Sequence, residues 1–202
     1  MATDVYRTPL LTARETARHL RMPESTLNVW LAKPSTAPLV HSVAPEKRGW
    51  PRVPFVGIVE AYVLRSLRLL GVSMDDVREA AAIVRDEFAD PYALASERIA
   101  HDGVDLFVRL AVGEVLSDYL RFITWSEDGQ ARSLKLRQYP DEAEVVIDPR
   151  FGWGAPVLAK QKIPVDAVVS LWQTGESMDV VAEEFDLTRD LVENVCRAAV
   201  AV

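Results

Sequence analysis

Apolar residues recur at helical spacing in three stretches of this chain, with breaking residues between and within them. In the first stretch, Ala13, Thr16, Ala17 and Leu20 share one helical face. Thr12 and Glu15 stand before them as a T-x-x-E pair, the pattern of a reciprocal helix cap. Met22-Pro23-Glu24 predicts a break, because the residue before a proline is biased out of the helical region. A short second helix then turns Leu27, Trp30 and Leu31 inward, so residues 11–31 read as a helix-turn-helix. In the second stretch, Val59, Tyr62, Val63, Leu67 and Leu70 repeat at helical spacing up to Gly71. Ser73 caps a following helix with Asp75 and Asp76 in its first turn, where carboxylates favour the positive helix end. The third stretch predicts helices over 165–174, 178–185 and 189–199, with Gly175 as a stop and Ser177 and Thr188 as caps. Val180, Val181, Ala182 and Phe185 are expected inward on the second of these, and Leu191, Val192 and Val195 on the third.

The intervening segments lack such periodicity. Residues 34–54 are rich in proline and end on the basic EKRGWPRVPF, which suits a wing or arm. Residues 90–139 read as a small α+β connector. A short helix is expected over 91–99, a strand over 104–108, a helix over 112–123, and a strand over 134–138 after the Asp128-Gly129 turn. Residues 145–147 and 157–158 predict a short hairpin ahead of the last three helices. The expected fold is mainly α with a minor α+β part. Its expected domains are 1–88, a DNA-binding helix-turn-helix; 89–144, the connector; and 145–202, a three-helix unit led by the hairpin.

Charge changes the picture more than composition does. The chain of 202 residues carries a net charge of −7, but unevenly. Residues 1–54 hold eight basic and four acidic side chains, whereas residues 163–202 hold two basic and eight acidic ones. A positive region is drawn to phosphates; a negative one repels them and attracts basic proteins. Arg14, Arg18, Arg21, Ser25, Thr26, Asn28 and Lys33 of the first unit are therefore candidates to contact DNA, joined by Lys47, Arg48 and Arg52 of the arm. At the other end, Trp172, Glu183, Glu184, Leu187, Asp190 and Glu193 are candidates for a protein partner. Trp153 and Trp172 are expected as core or interface anchors rather than cofactor platforms.

Other chemistry finds little support. The single cysteine, Cys196, excludes an internal disulfide and a cysteine-rich zinc site. His19, His41 and His101 show no metal-ligand spacing, and there is no glycine-rich phosphate loop or nucleophile motif. No catalytic residue, metal or cofactor is expected. No apolar run approaches bilayer length and the N-terminus lacks a secretory pattern, so a cytoplasmic protein without membrane contact is expected.

Two resemblances sharpen this. The stretch LRLLGVSMDDVREAAAIV, following the helix-turn-helix and arm, resembles the MerR family of winged-helix regulators over residues 1–88. The run I-D-P-R-F-G-W-G-A-P-V-L, then I-P-V-D-A-V and G-E-S-M-D-V-V-A-E-E-F-D-L-T-R-D-L-V, resembles the domain of unknown function 433 family over residues 145–199. Members of that family usually carry Gly-Thr-Arg where this chain has Lys160, Gln161 and Lys162; a positive φ at Lys160 would be costly. The whole layout resembles a subgroup of VapB-type antitoxins. That resemblance implies an antitoxin that binds operator DNA, represses its own operon and neutralises a PIN-like ribonuclease toxin. A homodimer is expected, since two helix-turn-helix units span two half-sites, with helices 59–70 and 74–88 as contact surfaces. The alternative is a MerR-like transcriptional regulator with a small-molecule effector bound in the middle segment; an enzyme ranks third.

Overall fold

The computed structural model describes residues 4–32, 38–100 and 113–200. It divides into two compact units, Met1–Ser133 and Leu134–Val202. The fold is mainly α with small antiparallel sheets.

In the first unit a short strand β1 (Pro9–Leu11) leads into helix α1 (Ala13–His19), and α2 (Glu24–Leu31) follows. Thr12 and Glu15 cap α1 reciprocally: the Glu15 N–H donates to Thr12 Oγ1 at 3.2 Å, and the Thr12 N–H donates to Glu15 Oε2 at 2.8 Å. Burial of the Glu15 carboxyl pulls its pKa upward. The hydrogen bonds from Thr12 and the charges of His19 and Arg18 outweigh that and hold it below the usual value. Ala13, Thr16, Ala17 and Leu20 of the first helical stretch and Leu27, Trp30 and Leu31 of the second are all buried. Strand β2 (Val53–Pro54) pairs antiparallel with β1 across about forty residues, a pairing that no local pattern announced.

Helix α3 (Phe55–Leu69) runs through the middle of this unit. Every residue from Phe55 to Leu64 is buried, as are Ser66 and Leu67. It packs against α4 (Met74–Glu87), against the 3₁₀ turn Ala93–Ala95 and against α5 (Gly113–Leu120). This corrects the expectation that residues 59–70 form a dimer surface: the helix is consumed by its own core, and of its residues only Arg68 and Leu69 are exposed. Ser73 caps α4 as expected, its Oγ accepting from the Asp76 N–H at 3.2 Å. The helix expected over 91–99 is broken into that 3₁₀ turn and an α-helical segment that begins only at Arg98. The helix expected over 112–123 stops at Leu120, because Ile123 opens strand β3 (Ile123–Trp125). Strand β3 and strand β4 (Ala131–Lys135) form a hairpin around Asp128-Gly129, with Gly129 at φ 75°. The expected strand 134–138 therefore lies a few residues earlier; a turn closed by the Tyr139 N–H on the Leu136 carbonyl ends it. The expected strand 104–108 falls outside the described residues.

In the second unit, Leu134 and Lys135 pair with Ile147 and Val146 of β5 (Val145–Ile147). Strand β5 pairs in turn with β6 (Val157–Leu158), and helices α6 (Val165–Gln173), α7 (Met178–Glu184) and α8 (Arg189–Val200) follow. Ser177 caps α7 through the Val180 N–H, and Gly175 sits at φ 102° after α6. Val181 and Ala182 are buried, but Val180 is 45% exposed, contrary to expectation. Three consecutive residues sweep about 200° around a helix, more than one packed face accepts. The turn between β6 and α6 does contain a positive φ, but at Lys162 (62°) rather than Lys160. The Leu158 carbonyl accepts from the Lys162 N–H at 2.8 Å, closing the loop one step later than the glycine pattern suggests.

Candidate functional site

The outward side of the helix-turn-helix carries the polar residues singled out above. Arg14 and Arg18 are exposed on α1, Arg21 is exposed just beyond it, and Ser25 and Asn28 are exposed on α2. Thr26 is half-buried; Lys33 lies outside the described residues. Arg21 takes a left-handed conformation, φ 49°, which turns the chain between the helices. The structure brings Arg21 and Thr26 into one cleft of about 450 Å³ with three arginines the sequence reading passed over: Arg65 and Arg68 of α3 and Arg78 of α4. Arg65 Nε donates to the Arg21 carbonyl at 3.4 Å, which ties α3 to the turn. Met22, Pro23, Val29, Trp30, Leu69 and Met74 complete the lining. Arg68 donates to the Val72 carbonyl, and Arg78 pairs with Asp75 at 3.2 Å. The positive charge of the four arginines favours an anion such as a phosphodiester. The signal was present in the sequence as R-S-L-R followed by M-D-D-V-R, but it lies beyond the basic stretch that ended at residue 54. Arg14 and Arg18 do not line this cleft.

The arm stands on a buried charged clamp. Glu60, fully buried within α3, accepts from the His41 N–H at 2.7 Å, faces His41 Nδ1 at 2.7 Å, and accepts from Arg85 Nη2 of α4 at 3.0 Å. Arg85 also donates to the carbonyls of Pro38 and Leu39, each at 2.8 Å. Gly57 leaves room for this crossing, since a Cβ there would stand 2.4 Å from the His41 carbonyl oxygen. Beyond His41, residues 42–51 are all exposed. The Val43 N–H donates to the Arg52 carbonyl at 2.8 Å and the Arg52 N–H to the Leu11 carbonyl at 3.0 Å, which pins both sides of the arm. At the tip, the Trp50 N–H meets the Lys47 carbonyl at 3.1 Å, Gly49 has φ 88°, and Lys47 Nζ lies 5.2 Å from the Trp50 ring centre. Lys47 and Arg48 are thus exposed at the tip, while Arg52 is half-buried at the root.

The second unit carries the acidic candidates. Trp172 and Glu193 line one groove with Met178, Cys196, Val200 and Arg197, whose guanidinium pairs with the Glu193 carboxylate. Burial raises the Cys196 thiol pKa, which keeps it a neutral apolar wall. Asp190 and Glu193 line a neighbouring groove with Glu142, and Arg197 lines it too. Glu183 and Glu184 lie exposed on α7 and Leu187 half-buried after it; none of the three lines either groove. Trp153 is not a core anchor: it is 92% exposed. Among the described residues, no group of three or more His, Cys, Asp and Glu is placed to hold a metal, and no helix is long and apolar enough to cross a membrane.

A basic helix-turn-helix joined to a separate acidic three-helix unit defines a class of two-part regulators, and comparison with known proteins agrees. Residues 9–81 match the family described as "Putative DNA-binding HTH domain", and residues 145–197 match "Protein of unknown function (DUF433)". The chain is 30% identical, over 97% of its own length and 96% of the relative's, to "Putative antitoxin VapB45" of Mycobacterium tuberculosis. It also superposes on the crystal structure of Rv2018 from Mycobacterium tuberculosis with a TM-score of 0.82 and 30% identity, covering 94% of this chain and 98% of that one. The chain belongs to the VapB-type antitoxins that combine a DNA-binding helix-turn-helix with a DUF433 domain.

Proposed function

We propose that this protein is the antitoxin of a type II toxin–antitoxin pair: it binds and neutralises a PIN-like ribonuclease toxin and represses its own operon. The observation that carries the reading is the match to a VapB relative along nearly the whole of both chains, helix-turn-helix and DUF433 domain together. The division of charge supports the assignment of roles. The cleft of Arg21, Arg65, Arg68 and Arg78, the outer side of α2 and the arm tip form the DNA side. The acidic residues Asp190 and Glu193 with Glu183, Glu184, Trp172 and Leu187 form the toxin side, because carboxylates facing phosphates would weaken DNA binding and suit a basic protein rim. The protein works as a homodimer, two copies reading two half-sites.

The test is co-expression with the adjacent open reading frame. The expected result is relief of the partner's toxicity, a co-purifying complex with a small nuclease, and a shift of DNA carrying the operon's own promoter. A chain that shifts that DNA only on adding a metabolite, and captures no nuclease, overturns the antitoxin reading in favour of an effector-controlled regulator.

A further inference from the structure

The outward stripe of α2 holds a residue that neither phosphate binding nor packing accounts for. The exposed positions of this helix are Glu24, Ser25, Asn28 and Val29, with Ala32 just past its end. At about 100° per residue, Ser25, Asn28, Val29 and Ala32 fall within roughly 100° of one another. Leu27, Trp30 and Leu31 take the opposite side and are buried, which fixes the rotation of α2 about its axis. The Trp30 carbonyl accepts from the Val40 N–H at 3.2 Å, which anchors the last turn of the helix. Val29 is thereby held outward, 60% exposed. A β-branched residue is a weak helix former, so an exposed helical site gains nothing in folding from valine.

The stripe differs chemically from what flanks it. Helix α2 contains no arginine and no lysine. The arginines stand beside it, in the cleft whose lining Val29 shares with Arg21, Arg65, Arg68 and Arg78. Cations beside a strip of short side chains suit a duplex whose phosphates lie at the cleft and whose base edges lie along the strip. Without a guanidinium or ammonium group, the strip lacks the usual partner of guanine. Ser25 and Asn28 offer hydrogen bonds to base edges, whereas Val29 offers only methyl groups. The apolar group that the standard bases present in the major groove is the 5-methyl of thymine. Glu24 brings a carboxylate to the strip, in the first turn, where the positive end of the helix offsets it.

We propose that Val29 selects a thymine in each operator half-site by packing its methyl groups against the thymine 5-methyl. The inference rests on the DNA-binding reading above and adds to it a base that the site demands. The arginines of the cleft supply affinity without regard to sequence, and Val29 supplies a preference for one base pair.

Replacing thymidine by deoxyuridine removes that methyl and keeps the base pair, so it isolates the contact. Synthetic duplexes spanning the stretch of the operon's own promoter that the full-length chain protects carry the exchange at one symmetric pair of thymines at a time. Such duplexes contain no methylated cytosine, so thymine is the source of any 5-methyl effect. At one pair of positions the native chain is expected to lose about fourfold in affinity for each half-site exchanged, the worth of one buried methyl. Val29→Ala is expected to bind the thymine duplex as weakly as the native chain binds the uracil one, and to lose nothing further on the exchange. Alanine is the better helix former at this exposed site, and unchanged circular dichroism checks that the variant is folded. A native chain that does not bind the promoter DNA overturns the DNA-binding reading and this inference together. Promoter binding that no uracil exchange weakens overturns the inference alone. So does a weakened position at which Val29→Ala still tells thymine from uracil.

Discussion

Glu60 shows how much one side chain can hold. Its carboxylate has no exposure to water, and three donors from two other segments converge on it. An unpaired charge in such a place is costly, so the group is tolerable only while its partners stay. Glu60→Gln keeps the shape but leaves Arg85 without its counter-charge; thermal or urea unfolding is expected to show a loss of about 3 kcal/mol. Glu15 offers a gentler case with a defined pH sign. Its folded-state pKa lies below the ordinary value, so its contribution is present above the unfolded pKa and fades as pH falls through the folded one. Glu15→Gln is therefore expected to cost stability at neutral pH, and the difference from the native chain to shrink as pH drops below about 4.3. A pair of melting curves against pH checks it.

Elements were legible where their signals are local. The caps at Thr12, Ser73 and Ser177 and the stop at Gly175 act within a few residues of themselves, and each appears in the structure where its spacing placed it. Strands β1 and β2 were not legible, because two or three residues carry no period and their pairing depends on a partner far along the chain. The burial of Glu60 was hidden for a related reason: its partners lie 19 and 25 residues away. The candidate DNA side was half legible. Arg21 and Thr26 could be named from sequence, whereas Arg65, Arg68 and Arg78 join them only because the end of α3 and the start of α4 line the same cleft as α2. If that cleft takes phosphates, Arg68→Ala and Arg78→Ala should each lower the salt dependence of operator binding, reducing the slope of log affinity against log salt by about 0.9. Binding titrations across a salt series give the slope directly, and an unchanged slope removes these residues from the interface.

At the scale of the whole molecule, the proposed division of labour follows the opposite charge of the two ends of the chain. Neutralising Glu183 and Glu184 together to glutamine is expected to leave operator affinity within a few-fold while weakening toxin capture by about tenfold, a modest loss per exposed charge. Parallel gel-shift and pull-down measurements on one preparation decide it. A large gain in DNA affinity instead would mean that the acidic unit sits against the operator.

The pinned arm has a consequence for how such a protein can change over time. Its two sides are tied at Val43 and Arg52 and its root is held by Arg85 and Glu60, yet everything between them is exposed. Extra residues inserted there close a slightly longer loop, and doubling such a loop costs only about 0.6 kcal/mol of chain entropy. The tip can therefore lengthen, shorten or exchange its cations while the core beneath stays intact. If the arm tip touches the operator as proposed, a lineage of such proteins could retune that part of its DNA contact through this segment, with the rest of the fold as a fixed mount.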